Sequence, residues 1–247
     1  MQAVTKVTND TIFDLQCADD DALASHTLNG LQRQLDAISS AYSRGGLVVN
    51  SKKTKVLYLS SYSSSTPTFF IFGDQLGRTE QDTYLGSITA STCDLTAEIQ
   101  RRVNLASASF GRLSKRVFTN RDLSTRTKMA VYNAICVSIL LYACEGWTLH
   151  RRHIRALEAF HIRYLQTILH VHWWDKIPRV EICRSVGTTC LETILLRRQL
   201  SWRGHVIRLQ GRRQRGRQWC PALPFEICAP SFHVWPHGCC IHLIQYF

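Results

Sequence analysis

Three carboxylates stand in a row in "CADDDALASHT", residues 17–27: Asp19, Asp20 and Asp21. Like charges at neighbouring positions repel, so such a run persists where water screens it or a cation neutralises it. A solvated turn or helix cap meets the first condition. A two-metal site meets the second, because two divalent cations a few ångströms apart are held by crowded carboxylates and clamp the oxygens of a phosphoryl transfer. The run alone fits both readings.

The elements that must position these acids can be read from apolar spacing. "TIFDLQC" (11–17) and "DALAS" (21–25) flank the acidic run as two short strands, which makes a β-hairpin. Leu28, Leu31, Leu35, Ile38 and Tyr42 then recur at helical spacing, and Gly45 and Gly46 stop that helix. "LVVN" and "KVLYLS" read as strands around the "SKKT" turn, "SSYSSSTPT" (60–68) as a Ser-rich loop, and "FFIFG" (69–73) and "YLGSI" (84–88) as a further strand pair. From residue 96 the helical period dominates. Ile99, Val103, Ala106, Phe110, Leu113 and Val117 mark one helix face, with Arg101, Arg102, Arg112, Lys115 and Arg116 largely off it. Further helices are expected over 124–144 with Ser124 as N-cap, over 151–170 and over 190–209. In the 151–170 helix Arg151, Arg152, Arg155 and Arg163 supply charge beside an apolar face of Ile154, Leu157, Tyr164, Leu165 and Ile168.

Charge divides the chain. Residues 1–95 carry 7 Lys+Arg against 10 Asp+Glu, and residues 96–247 carry 23 against 8. A strongly basic second part fits a polyanionic partner, and equally a solvated basic surface. Trp173, Trp174 and Trp202 could stack bases or fill a core. The opening "MQAVTKVTND" has no apolar leader, and several of the ten Cys fall inside apolar runs, as small buried hydrophobes do. A reduced intracellular protein, nuclear or cytoplasmic and not secreted, is expected. The longest apolar run, "AICVSILLYAC" (134–144), is too short for a bilayer.

In order along the chain, "LQCADDDALASHT", "LQRQLDAISSAYSRGGLVVNSKKTKVL", "YLGSI", "EIQRRVNLASASFGRLSKRVF", "LLYACEGWTLHRRHIRALEAFHIRYLQTILHVHWWDKIP" and "QLSWRGHVIRL" resemble the successive motifs of one family. It is the reverse transcriptase, an RNA-directed DNA polymerase, of LINE-type retrotransposons, which lack long terminal repeats. The likeness covers about residues 11–210. It implies the end of a polymerase palm, a thumb and the helical region that follows. It makes Asp19 a Mg²⁺ ligand, Asp20 the second catalytic carboxylate near the metals or primer end, and Asp21 a surface turn residue. Lys53 falls on the Lys that could protonate or neutralise the leaving pyrophosphate; an exposed turn explains it equally. Tyr84 and Gly86 would shape a primer grip, or be a core tyrosine and a turn glycine. Cys17 departs from the family's Tyr or Phe at that place and is smaller.

The family's fingers and its other metal-binding Asp precede the acidic pair, whereas here only Asp10 and Asp14 precede Asp19 as acids. The chain is therefore expected to be a catalytically incomplete fragment that does not polymerise DNA alone. The expected fold is α+β: a partial palm of antiparallel hairpins plus helix over 1–95, thumb-like helices over 96–150, a basic helical region over 151–210 and an irregular, disordered tail over 211–247. The expected partners are an RNA template and RNA–DNA hybrid, gripped by the basic helices, and no membrane. Two alternatives stay open: a nucleic-acid-binding module that needs no Asp chemistry, and the non-functional product of a decayed element. In the tail, Cys220, Cys228, His233, His237, Cys239, Cys240 and His242 lack the spacing of a zinc finger.

Overall fold

A computed structural model describes residues 14–17, 20–25, 27–58, 68–213 and 240–245. The fold is mixed, with small sheets and a larger helical part. The chain divides into two compact units, residues 1–94 with 213–247, and residues 95–212.

The first unit is built around the acidic hairpin. Strand β1 (Asp14–Cys17) pairs antiparallel with β2 (Asp20–Ser25), with Cys17 opposite Asp20. Helix α1 (Leu28–Arg44) follows at once. Thr27 caps it, its Oγ1 accepting from Gly30 N at 3.1 Å, which satisfies one of the donors that a helix start leaves open. Most of the expected stripe packs: Leu31 and Leu35 are fully buried, with Ile38 and Tyr42 beside them, while Leu28 is 40% exposed. They meet Leu23, Val56, Tyr58, Phe69 and Ile71. Strand β3 (Lys55–Tyr58) comes after the turn, whereas residues 47–50, expected as a strand, form none. The Gln32 amide fixes the next edge by bonding both backbone groups of Phe70, at 2.8 and 3.2 Å.

Strands β4 (Phe70–Ile71) and β5 (Asp74–Gln75) form a minimal hairpin. Strand β6 (Gly77–Thr79) runs parallel to β3. Strands β7 (Gln81–Tyr84) and β8 (Ser87–Ala90) form another hairpin. "YLGSI", expected as a strand, is therefore a turn: Leu85 (φ 46°) and Gly86 (φ 79°) are both left-handed, the geometry whose twist suits a two-residue hairpin. Gly86→Ala should cost about 1 kcal/mol, measured as a lowered urea midpoint, because a Cβ is disfavoured at that φ.

The main sheet has the order β1-β2-β9-β3-β6, where β9 is Cys240–Gln245. Strand β9 is antiparallel to both neighbours, with Ser25 and Tyr58 each opposite Cys240. Strands β2 and β3 are thus parallel to each other, joined through α1, with a strand from the far end of the sequence between them. This is a split β-α-β arrangement. Residues 240–245, expected within an irregular tail, form a central strand because two unpaired strand edges accept them; residues 214–239 lie outside the described residues, as does most of the Ser-rich stretch.

The second unit is helical. Helix α2 (Thr96–Leu113) continues through a π-helical segment, Ser114–Phe118. Helix α3 (Thr125–Val131), capped by Ser124 Oγ accepting from Thr127 N at 3.2 Å, continues through π-helical Tyr132–Val137 into the short α4 (Ser138–Leu140). Helices α5 (Arg151–Leu169), α6 (Arg179–Ser185) and α7 (Leu191–Arg213) complete it. One core joins α2 to the start of α7 and draws on both stretches read in sequence as separate regions. Its centre is aromatic. Phe110 and Phe118 stack with centroids 4.1 Å apart and planes within 4°, and Tyr132 meets both edge-on, the offset geometries aromatic quadrupoles favour. Cys136, Cys144 and Cys183 are buried and unpaired. Burial pushes the Cys136 thiol up to about 11 and that of Cys144 up to about 12, so both are packing groups rather than nucleophiles. No helix among the described residues is long and apolar enough to cross a membrane.

Candidate functional site

The acidic hairpin belongs to the first unit. Asp20 begins β2 and is half-buried; Asp19 lies outside the described residues. Asp21, expected on the surface of the turn, is 1% exposed. The correction has a simple cause: β2 starts at Asp20, so Asp21 is inside the sheet, opposite Gln16 on one side and Ile244 on the other. Successive side chains of a strand point to opposite faces, so Asp20 and Asp21 cannot both face one cation. Among the described residues no group of three His, Cys, Asp or Glu side chains could hold a metal ion.

Lys53 is exposed on the turn before β3, its backbone N–H donating to Asn50 Oδ1 at 3.2 Å. Sheet register places it relative to Asp20. Asp20 is opposite Gln245 and Lys55 opposite Leu243. Asp20 and the turn carrying Lys53 are therefore at the same end of the sheet with β9 between them, roughly 10 Å apart at two strand spacings. Tyr84 is buried at the end of β7 and Gly86 forms its turn.

The basic residues belong to the second unit, which has 20 Lys+Arg against 7 Asp+Glu. On α2, Arg101 is half-exposed and Arg112 exposed. Eleven residues are about three helical turns, so the two share a face. Lys115 and Arg116, in the π-helical segment, are exposed as well. Arg102 is not part of this stripe. It is 6% exposed, its Nε donates to Glu98 Oε1 at 2.5 Å, and its guanidinium lies 4.4 Å from the Tyr142 ring centroid. It is a core ion-pair residue and lies off the exposed basic stripe. Two signals for this were present in the sequence. Arg102 is three residues after Ile99 and four before Ala106, on the buried face, and Glu98 precedes it by the spacing of a helical salt bridge.

On α5, Arg151, Arg152 and Arg155 are exposed around the first turn, which holds no acidic residue; Arg163 is exposed two turns on. Thr96 Oγ1 is 3.1 Å from His153 Nε2, and Arg152 Nε donates to that nitrogen at 3.2 Å. The first turns of α2 and α5 therefore lie side by side. Helix N-termini carry partial positive charge, and cations there are disfavoured by about 0.3–1 kcal/mol each. Three arginines at such an end form a concentrated cationic surface that an anion would relieve.

The chain is 24% identical over 219 residues to a transposon-derived protein of Caenorhabditis elegans, covering 82% of this chain and 74% of that one. The similarity indicates a transposon-related origin. No protein-family model matches, and neither does any solved structure.

The remaining sequence candidates separate. Trp202 is half-buried on α7, with the exposed His205 ring 5.5 Å away. Trp174 is exposed and stacked on His172. Two groups that sequence reading passed over are in the core of the second unit. His153 and His161 continue the seam of Leu157, Leu165 and Ile168 at helical spacing, and both are buried. His161 Nδ1 is 3.0 Å from the Tyr132 hydroxyl. Burial lowers the His161 pKa to about 4, against a smaller opposing contribution from the Thr189 backbone.

Proposed function

We propose that the chain derives from the reverse transcriptase of a LINE-type retrotransposon, that its first unit is the end of a palm, and that its working activity is binding the backbone of RNA and RNA–DNA hybrid through the second unit. The ordered motifs of residues 11–210 and the transposon-derived relative support the origin. The observation that carries the activity is the basic surface of α2 and α5: arginines and lysines crowd the exposed faces and the positive end of α5 while the opposite faces form the core. Such a surface recognises phosphates by charge and reads no sequence.

The same reading holds that this chain does not polymerise DNA by itself. Phosphoryl transfer on two cations needs carboxylates that converge, and among the described residues no group of three His, Cys, Asp or Glu side chains does so. On a primed RNA template with Mg²⁺, no extended primer is expected. Extension that Asp20→Ala abolishes would contradict this. Binding is tested by neutralising Arg112, Lys115 and Arg116 together with glutamine. The slope of log affinity against log salt should become shallower by about 1 for each phosphate that is no longer neutralised. An unchanged slope with intact helicity would remove α2 from the interface.

A further inference from the structure

Between α5 and α6 the chain turns a short, fixed corner. His170 ends α5 with φ 54°, and Lys176 follows one 3₁₀ turn (Trp173–Asp175) with φ 50°. Left-handed non-glycine residues are costly and persist where surrounding contacts over-determine them. The contacts here are reciprocal: His172 N donates to Asp175 Oδ2 at 2.7 Å, and Asp175 N donates to the His172 carbonyl at 3.1 Å. The closed turn holds the His172 imidazole flat on the Trp174 indole, with centroids 4.3 Å apart and planes within 10°. Trp174 is 56% exposed, so this tryptophan, open in sequence between core and base stacking, is not core.

We propose that the His172–Trp174 stack is a platform for an unpaired base of single-stranded nucleic acid. This rests on the nucleic-acid-binding reading above and adds what the basic helices lack, a way to tell single strands from duplexes. A base presents a flat π face, and a planar, rigidly held aromatic pair loses little freedom on receiving it. Phosphates flanking that base would find Lys176, Arg179 and Arg184, all exposed and close in sequence. Of the acids nearby, Asp175 is tied to the His172 N–H, and Glu181 is exposed on α6. Ile177 and Val180 are exposed at the same corner. They would also suit a protein partner, but the parallel ring geometry and the net charge of +13 on this unit favour a base.

The test uses the full chain, a short unstructured RNA and a blunt RNA–DNA hybrid, compared by fluorescence anisotropy at one salt concentration. Trp174→Ala should weaken single-strand binding about tenfold, leave hybrid binding within about twofold, and leave circular dichroism unchanged. Trp174→Phe should restore most of the loss, and His172→Ala should reproduce part of it. Unchanged single-strand affinity in Trp174→Ala, with both ligands still bound by the parent chain, overturns the platform and leaves the backbone reading intact. Equal weakening of both ligands overturns it as well. If Trp174→Ala alters only self-association, measured by sedimentation, the corner is a protein surface. A parent chain that binds neither ligand defeats both readings.

Discussion

Glu98→Ala is expected to destabilise the second unit by about 3–5 kcal/mol, the usual cost of leaving a buried charge without its partner. The Glu98 and Arg102 side chains are 2% and 7% exposed and are bonded to each other. Deleting the carboxylate removes the ion pair from a guanidinium that is almost fully buried. Arg102→Met alone should also be costly, because it takes the cation away from the equally buried Glu98 carboxylate. Replacing both, Glu98→Gln with Arg102→Met, removes both charges, keeps most of the volume and gives up the packing on Tyr142. The double variant should cost clearly less than Glu98→Ala in urea titrations. If Arg102 is a core residue, Arg102→Met leaves the salt dependence of nucleic-acid binding unchanged. A shallower slope in a folded Arg102→Met protein would return Arg102 to the interface.

The second large effect is on pH. His161 is fully buried against Tyr132, and burial lowers its pKa from 6.5 to about 4. Burial likewise raises the Tyr132 pKa far above the usual tyrosine range, so the phenol stays protonated. Above pH 6.5 the imidazole is neutral whether the chain is folded or not. As pH falls through 6.5 the unfolded chain takes up a proton that the folded chain refuses, and the balance shifts towards unfolding until about pH 4. The shift corresponds to about 3 kcal/mol of stability that disappears between pH 7 and pH 4. The imidazole NMR signal of His161 should remain that of the neutral ring down to about pH 5. A titration midpoint near 6.5 would contradict it. Tyr132→Phe, which removes the hydroxyl beside Nδ1, should cost a further 1–3 kcal/mol or so at pH 7.

Much of the helical architecture could be read from periodicity, because long amphipathic stretches declare their buried face. The Leu31–Tyr42 stripe, the Ile99–Phe110 stripe and the Ser124 cap pack or bond as expected, whereas Leu28, at the start of the first stripe, is exposed. What stayed hidden depended on partners distant in sequence. The stretch CIHLIQ at 240–245 has little to mark it as a strand, and its place is set by the gap between β2 and β3. Helix α6, with seven residues, is too short for a period to show. "YLGSI" reads as a strand by residue type, yet Leu85 and Gly86 take left-handed angles that composition does not announce. The acidic run was legible as a hairpin but not in its burial. Asp21 falls in the expected strand 21–25, but its burial depends on β9, which pairs with β2 from the far end of the sequence and sets Ile244 opposite Asp21. Arg102 and His161 were legible in principle, since both fall on an apolar seam; a charged or polar residue at such a position is better read as a paired core group than as surface.

The most direct test is a titration of short RNA and RNA–DNA hybrid with the purified chain over a salt series. A phosphate-reading surface built on α2 and α5 predicts a linear fall of log affinity with log salt, with a slope of about −2 or steeper for three or more neutralised phosphates. Binding that does not respond to salt, or no binding by a chain whose circular dichroism is helical, would contradict the account.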